Sequence, residues 1–306
     1  MTGAGEVADV GAGPRRRRVL IEFLRVVPRA AISRLAGRFA GWRLPGRLQR
    51  YEIELFARAV GVDLDEVAQP LDSFGSLQEF FTRPLASGAR PIDGASDSLV
   101  APCDGLWGES GTVECGRLCQ VKGRTYSVAS LLGDRERAAA FDGGSYATFY
   151  LAPHNYHRFH APCALRFRAA DHLPGTLWPV NRAGLEGVEN LFARNERIAA
   201  YADVVGAAVA APLCMVAVGA VMVGKIKLTF DDLTTNLTTV DAPRRRCYEP
   251  GFEIDKGGEW GRFEFGSTIV LLAPPGLADL EAVEAGSPVR LGERIGTLRR
   301  VSPTAG

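Results

Sequence analysis

A glycine followed by a serine, Gly266-Ser267, stands just before an apolar run that extends from Ile269 to Ala273. Gly–Ser pairs are common turn residues, so the dipeptide alone indicates no function. A second interpretation is a peptide bond that is built to break, because Gly266 has no side chain to shield its carbonyl carbon. A base that removed the hydroxyl proton of Ser267 would let its oxygen attack that carbon and convert the amide into an ester. This chemistry requires a base and an orienting acid elsewhere in the chain.

The histidines of the chain are candidates for the base. All four lie between His154 and His172, and His154, His157 and His160 recur at every third position between two prolines. Imidazole can take a proton from serine near neutral pH, so the cluster favours acid–base chemistry. Zinc binding is the alternative, but this spacing spreads ligands around a helix, whereas the usual zinc helix places its histidines four residues apart. We therefore expect no metal.

Asp104 is the candidate orienting acid. It lies in Ala101-Pro-Cys-Asp-Gly105, where the Asp–Gly pair predicts a tight turn after a short strand. An Asp–Gly pair needs no function to explain it, since it is a common turn pair. Together with a serine and a histidine, however, an aspartate held in a turn completes the side chains that a catalytic triad uses.

The elements that must position these residues differ between the two ends of the chain. Residues 1–50 contain 11 arginines and few acidic residues, although the net charge of the whole chain is only +1. We expect residues 1–18 to be a disordered basic tail. Helical spacing of apolar side chains between Ile32 and Phe39, among arginines, is typical of a helix at an anionic membrane surface. A core-packing helix with a solvated arginine face is the alternative.

The pattern of apolar residues changes along the rest of the chain. A second helix is predicted from Gln49 to Val60, with Gly61 as its stop signal. From Leu99 onward, short apolar runs alternate with Gly, Pro and Asp, and this pattern is typical of a mostly antiparallel β domain. The predicted fold class is α+β: a helical membrane-associating segment over residues 19–70, followed by a catalytic β-rich domain over residues 71–306.

One stretch without charged residues, Val204 to Gly224, is long enough to span a bilayer. It is rich in alanine and glycine and has a proline near its middle. We therefore predict two buried strands joined by a turn rather than a membrane span.

Seven motifs stand in order between about residues 71 and 300: Phe80-Phe-Thr-Arg-Pro-Leu85, Ala89-Arg-Pro-Ile-Asp93, Ala101-Pro-Cys-Asp-Gly105, Val121-Lys-Gly-Arg-Thr-Tyr-Ser127, Tyr156-His-Arg-Phe-His-Ala-Pro162, Leu191-Phe-Ala-Arg-Asn-Glu-Arg197 and Gly261-Arg-Phe-Glu-Phe-Gly-Ser-Thr268. With them the chain resembles the phosphatidylserine decarboxylase proenzymes, a pyruvoyl-dependent family. Several motifs in family order are far more specific than any one of them. Two positions depart from the family pattern: Asn155 replaces the usual aspartate before Tyr-His, and Phe265 replaces a frequent leucine.

The resemblance implies self-cleavage between Gly266 and Ser267 into chains 1–266 and 267–306. It further implies that Ser267 becomes a pyruvoyl group, which then serves as the cofactor. The implied reaction is decarboxylation of phosphatidylserine to phosphatidylethanolamine, in which the ketone of the pyruvoyl group draws electrons from the reacting carbon.

The resemblance also assigns roles by position. Asp104, His160 and Ser267 would form the triad for self-cleavage, and His157 would be the proton donor in decarboxylation. Weaker candidates for contact with substrate are Lys122, Arg194, Arg197 and Thr268.

The expected partners follow from this substrate. They are phosphatidylserine in an anionic membrane and the two cleaved chains as a heterodimer, with homodimer formation left open. No nucleic-acid partner is expected, because no reader motif accompanies the basic charge. We recognise no signal peptide, so we expect a peripheral protein at the cytoplasmic face of the cell membrane.

Three other functions remain open on the sequence. One is a pyruvoyl decarboxylase of another amino-acid substrate. Another is a serine hydrolase that uses Asp104, His160 and Ser267 on external substrates. The third is a β-domain binding module without catalysis, which would leave the histidine cluster unexplained. The state of the Gly266–Ser267 bond distinguishes among them.

Overall fold

The computed structural model describes residues 21–22, 29–207, 212–221, 225–236, 242–264 and 267–299. The helices within this part of the chain are α1 (Arg29–Ala40), α2 (Gly46–Val60), α3 (Leu77–Phe81), α4 (Val128–Leu132), α5 (Arg135–Ala139), α6 (Arg182–Gly187) and α7 (Leu191–Arg194), with a 3-10 turn at Leu71–Ser73. The strands are β1 (Ser98–Val100), β2 (Gly105–Thr112), β3 (Arg117–Val121), β4 (Arg124–Ser127), β5 (Ser145–Tyr150), β6 (Arg158–His160), β7 (Leu165–Leu173), β8 (Arg197–Val204), β9 (Leu213–Val218), β10 (Ile226–Leu228), β11 (Arg244–Ile254), β12 (Glu259–Phe263), β13 (Thr268–Ala273), β14 (Ala278–Leu280), β15 (Pro288–Val289) and β16 (Arg294–Leu298). The α+β fold class is confirmed.

The β region is built around an eight-stranded sheet in the order β11-β7-β8-β9-β13-β5-β2-β15. Two three-stranded sheets, β10-β12-β6 and β1-β16-β14, and the hairpin β3-β4 complete it. All pairings between these strands are antiparallel, as expected from the sequence. Strand β13 lies inside the large sheet, with β9 on one side and β5 on the other.

Both faces of β13 are buried, and each contributes to a different hydrophobic core. Ile269 and Leu271 pack in the core that includes the small sheet β10-β12-β6. Val270 and Leu272 pack in the core on the opposite face, which includes α4 and α7. A strand that is buried on both faces needs no polar alternation, which explains the uninterrupted apolar run.

The N-terminal helices agree with the predicted helical region. The spacing from Ile32 to Phe39 falls within α1, and the helix predicted from Gln49 is α2, which begins three residues earlier. Gly61 ends α2 with a φ of 83°, a left-handed conformation that glycine adopts without strain. The predicted basic tail, residues 1–18, lies outside the described residues.

The prediction of two strands within Val204–Gly224 is wrong in its placement. Among the described residues of this stretch, β9 is the one complete strand, whereas its neighbour β8 ends at Val204. The earlier strand was overlooked because it starts with a charged residue, Arg197, although its alanine-rich continuation is buried. Among the described residues, no helix is long and apolar enough to cross a membrane.

Gly105, the first residue of β2, allows a close approach to β5. A β-carbon at this position would lie 2.3 Å from the carbonyl oxygen of Tyr150. We expect Gly105→Ala to lower the free energy of unfolding by roughly 1–3 kcal/mol, because the strands must separate. Gly94→Ala is the control, since a β-carbon there would meet nothing within 4 Å. Equal losses in the two variants, measured by urea denaturation, would contradict the steric explanation.

Candidate active site

Ser267 lies at the entry to β13 and is completely buried. Its carbonyl oxygen accepts a hydrogen bond of 2.8 Å from the backbone N–H of Leu151. Among the described residues, its Oγ atom has no hydrogen-bond partner, and neither has the Oγ1 atom of the adjacent, buried Thr268. A buried hydroxyl without a partner costs about 1–3 kcal/mol, so these two side chains are not placed for stability. Phe265 and Gly266 lie outside the described residues.

The loop that carries His157 is tied to the segment that leads into β13. The carbonyl oxygen of His157 accepts a hydrogen bond of 2.9 Å from the backbone N–H of Phe263. At the other end of the loop, Leu151 donates to Ser267. The histidine loop and the entry to β13 therefore form one hydrogen-bonded unit.

His157 is a neutral imidazole with one free nitrogen. Its Nδ1 lies 2.8 Å from the carbonyl oxygen of Asn155, so Nδ1 must carry the proton and Nε2 a lone pair. Burial, together with the positive charge of Arg83, lowers the pKa of His157 to about 3. The ring of Phe81 covers the imidazole, with the two ring centroids 4.0 Å apart. Nε2 is buried and has no partner among the described residues, so it is available to a reacting group.

His160 also presents the lone pair of Nε2. Its Nδ1 lies 2.8 Å from the carbonyl oxygen of Gly257 and donates to it. Its Nε2, at 3.1 Å from the hydroxyl of Tyr156, accepts that hydroxyl proton. Burial lowers the pKa of His160, so the ring is neutral and basic at physiological pH.

Asp104 is buried at the end of the bend that leads from β1 into β2, and Gly105, its partner in the predicted turn, is already the first residue of β2. Its carboxylate accepts two short hydrogen bonds from Arg90, from Nε to Oδ1 at 2.8 Å and from Nη2 to Oδ2 at 2.6 Å. The backbone N–H of Leu291 donates to Oδ1 at 2.9 Å. Arg90 also donates to Glu66, so the cation bridges two carboxylates.

The three predicted triad residues lie in one region of the fold, but their side chains are not hydrogen bonded to one another. The backbone N–H of His160 donates to the carbonyl of Pro102 at 2.7 Å, which brings β6 beside the bend of Asp104. The negative charge of Asp104 acts on His160, where it opposes the lowering of the pKa. The ring of His160 contacts Tyr156 instead, and Ser267 Oγ contacts no polar atom of the described residues. The triad thus stays a prediction.

Asn155, the residue that departs from the family motif, has a structural role in this chain. Its Oδ1 accepts a hydrogen bond of 2.7 Å from the backbone N–H of Ala152, and its own N–H donates back to the Ala152 carbonyl. An amide oxygen makes these turn contacts as a carboxylate would. His157 is contacted by the Asn155 backbone rather than by its side chain.

The weaker substrate-binding candidates are placed differently from one another. Lys122 is exposed in the turn between β3 and β4, and Arg194 is exposed at the end of α7. Arg197 is buried, and its guanidinium donates to the carbonyl oxygens of Ser130, Leu131 and Asn195. Thr268 alone of the four adjoins Ser267.

The histidine cluster predicted from the sequence separates into two places. His154 is half-buried beside His157, whereas His172 is buried on β7 and its Nε2 lies 2.8 Å from Glu196 Oε1. In the described part of the chain, no group of three or more His, Cys, Asp or Glu residues is arranged to hold a metal ion.

The sequence did not single out three residues that adjoin the site: Arg83, Arg90 and Tyr156. All three lie within the quoted motifs, so their positions were visible in the sequence but their contacts were not. An arginine or tyrosine in a motif gives no sign of its partner until the strands are paired.

Comparison with known proteins agrees with these motifs. The family profile described as phosphatidylserine decarboxylase matches residues 77–297. The phosphatidylserine decarboxylase proenzyme of Anaeromyxobacter sp. (strain K) is 43% identical over 91% of this chain and 98% of the relative. Proteins of the same name from Myxococcus xanthus and Chromobacterium violaceum are 36% and 39% identical, over 91% and 90% of this chain and 98% of each relative. The chain therefore belongs to the phosphatidylserine decarboxylase family.

Proposed function

We propose that this chain cuts itself between Gly266 and Ser267 and then decarboxylates phosphatidylserine to phosphatidylethanolamine with a pyruvoyl group made from Ser267. The single observation that carries the proposal is the buried hydroxyl of Ser267, which has no partner among the described residues and lies at the entry to a central strand, near two neutral histidines. The intact mass of the denatured protein tests it. Two chains are expected, the smaller lighter by one ammonia than a fragment that begins with serine, and a single chain of full mass would contradict the proposal.

The cut requires a base for the Ser267 hydroxyl. In our proposal the Tyr156 hydroxyl first breaks its hydrogen bond to Nε2 of His160. This nitrogen then takes the proton of Ser267, and the serine oxygen attacks the carbonyl carbon of Gly266. The amide nitrogen leaves and is protonated, which gives an ester. Elimination then frees the carboxylate of chain 1–266, and water converts the dehydroalanine that remains into the pyruvoyl group and ammonia. Asp104 supports the protonated imidazole through its charge.

The residues at the cut fit the group that would form there. Ser267 and Thr268 are buried, their hydroxyls have no partner among the described residues, and the β13 backbone is held on both sides. The pyruvoyl group supplies an electron sink for the bond that breaks when carbon dioxide leaves. His157 holds a lone pair at Nε2, which can accept a proton from the substrate ammonium and return it to the reacting carbon.

A serine hydrolase would need the Ser267 hydroxyl to be open to external substrates. In the structure Ser267 is completely buried at the entry to an inner strand, and its Oγ is not hydrogen bonded to His160. These two observations favour self-cleavage over hydrolysis of an added ester. The names of the relatives favour phosphatidylserine over another amino-acid substrate.

We further propose that residues 19–70 attach the protein peripherally to the cytoplasmic face of an anionic membrane, while residues 71–306 form the catalytic region. The described part of this segment exposes a set of large apolar side chains, here called the apolar patch: Leu35, Phe39, Trp42, Leu44, Leu48, Tyr51 and Leu55. Leu48 and Leu55 are each 57% exposed on one side of α2, whose opposite side packs on α3. An apolar surface flanked by arginines matches a membrane interface.

Replacement of Leu48 and Leu55 by glutamate tests the role of the apolar patch. We expect binding to vesicles of phosphatidylserine and phosphatidylcholine to weaken about tenfold or more, because two apolar contacts are lost and two negative charges are added. Sedimentation with vesicles measures the effect. Glutamate at the exposed positions Ser87 and Ala282 adds the same charge outside the apolar patch. Equal binding by both double variants would contradict the proposal.

A further inference from the structure

Arg83 is a buried cation beside the proposed active site that the mechanism above does not use. It follows α3 and is only 3% exposed. Its Nη2 donates to the carbonyl oxygens of His154, at 3.0 Å, and Asn155, at 3.3 Å. Its guanidinium carbon lies 5.2 Å from the centre of the Phe80 ring, a cation–π contact.

The remaining nitrogens of this guanidinium are unsatisfied. Nε and Nη1 of Arg83 are both buried and have no hydrogen-bond partner among the described residues. The carboxylates whose charge acts on Arg83, Asp104 and Glu66, are both hydrogen bonded to Arg90. A buried charge without a paired anion is unfavourable. The described residues supply no free anion for Arg83, so the site is suited to an anion that comes from outside the chain.

The free nitrogens lie next to a group that the proposed chemistry uses. The carbonyl oxygen of Asn155 accepts hydrogen bonds from both Arg83 Nη2 and His157 Nδ1. The guanidinium and the imidazole are thus held by one shared atom. His157 Nε2 is also buried and unpartnered. Two donors, Nε and Nη1 of Arg83, and one acceptor, Nε2 of His157, are thus buried without partners among the described residues. They belong to two side chains that are held by the same carbonyl oxygen.

We propose that Arg83 binds an anionic group of the substrate headgroup, its carboxylate or its phosphate, through a free N–H group of the guanidinium, at Nε or Nη1. These two N–H groups point in different directions, so each can donate a single charge-assisted hydrogen bond to an oxygen of that group. This inference rests on the proposed function and names the residue that orients the headgroup against His157.

The bound anion has a consequence for His157. Arg83 is charged at neutral pH, since burial lowers its pKa only to about 10. Its charge helps to keep His157 unprotonated. An anion on Arg83 offsets that charge, so His157 accepts a proton more readily when substrate is present than when the site is empty. The other titratable or charged groups that act on this pair are His154, Asp104, Glu66, Arg90 and Tyr156.

The test uses purified, self-cleaved enzyme with phosphatidylserine in mixed micelles. Arg83→Gln keeps N–H donors but removes the charge, and Arg83→Lys keeps the charge but removes the planar set of N–H donors. We expect the KM of Arg83→Gln to rise about 10- to 100-fold, because charged hydrogen bonds to the substrate are lost. The KM of Arg83→Lys should rise less. Arg158→Gln is the matched control, because Arg158 contacts the neighbouring Thr82 carbonyl with every donor nitrogen partnered. Its KM should stay within about twofold of wild type.

Two soluble inhibitors identify the anionic group. Glycerophosphoserine carries the phosphate and the carboxylate, whereas glycerophosphoethanolamine carries the phosphate alone. If Arg83 binds the carboxylate, Arg83→Gln weakens inhibition by the first compound only, and if it binds the phosphate, inhibition by both weakens.

An unchanged KM and unchanged inhibition constants, with a lower kcat, would overturn the proposal and make Arg83 a positioning residue for the His154–Asn155 turn. If Arg83→Gln is not cleaved, glycerophosphoserine binding is compared in the uncleaved Ser267→Ala chain with and without Arg83→Gln; equal affinity overturns the proposal. Failure of the proposed function is a separate result, because the wild-type enzyme would then release no carbon dioxide from phosphatidylserine.

Discussion

Ser267→Ala is expected to leave a single uncleaved chain without decarboxylase activity. A methyl group cannot attack the carbonyl carbon of Gly266, and no pyruvoyl group can form from alanine by this route. The loss is complete rather than partial, because one residue both starts the cut and becomes the cofactor. Intact mass under denaturing conditions measures cleavage, and carbon dioxide released from phosphatidylserine measures activity.

Ser145→Ala is a matched control for this variant. Ser145 lies on β5, the neighbour of β13, and its hydroxyl donates to the carbonyl oxygen of Ala278 at 3.2 Å. Loss of that bond leaves the Gly266–Ser267 segment untouched, so two chains are expected as in the wild type. Two chains in the Ser267→Ala variant would refute the assignment of the cut.

His157→Gln is expected to be cut normally but to lose decarboxylation by about 10²- to 10⁴-fold in kcat, the usual contribution of an acid–base residue. Glutamine can hydrogen bond from this position, but it cannot carry a proton to the reacting carbon. Turnover of the purified two-chain enzyme measures the loss. Cleavage is measured by mass in the same sample.

His154→Gln serves as the control for a histidine on the same loop. His154 is half-buried, whereas His157 is fully buried with a free Nε2. We expect the His154 variant to keep kcat within about tenfold of wild type. An equal loss of kcat in the two variants would contradict a specific role of the His157 imidazole. It would show that either substitution disturbs the loop as a whole.

The stability of His157→Gln gives a readout that needs no activity. Burial lowers the pKa of His157 to about 3, so below its ordinary pKa of roughly 6.5 the unfolded chain binds a proton that the folded chain does not. Folding stability therefore falls as the pH drops through this window. At pH 5 the loss from this residue is about 2 kcal/mol relative to pH 7. The glutamine variant should lack this part of the loss, as urea denaturation at both pH values would show.

The parts of the fold that depend on local patterns could be predicted from the sequence. The helix that ends at Gly61 follows from apolar spacing and a glycine stop, and β13 follows from an unbroken apolar run. The bend at Asp104 follows from its Asp–Gly pair. Each of these depends on residues that are close together in the chain, which is why a single sequence reveals them.

The contacts that define the site could not be predicted, because they join distant parts of the chain. Asp104 is held by Leu291, 187 residues away, and His160 is held by Gly257, 97 residues away. Neither partner is implied by spacing. The unsatisfied nitrogens of Arg83 could not be predicted either, because a missing hydrogen-bond partner can be recognised only when the positions of all neighbouring residues are known. The misplaced strand near Val204 has the same cause: its pairing, rather than its composition, fixes where it begins.

The inner position of β13 has a consequence for the order of events. A cut before Ser267 would leave β13, β14, β15 and β16 on the small chain, although β13 is inserted between β5 and β9 and β16 pairs with β1. The whole sheet must therefore assemble from one continuous chain before the bond is broken. Afterwards the two pieces hold each other without a peptide bond, by strand pairing and by packing in the two cores, and a denatured enzyme could recover only by a bimolecular encounter. The native fold would therefore form once, in the uncut precursor, and the cut enzyme would not readily regain it after unfolding.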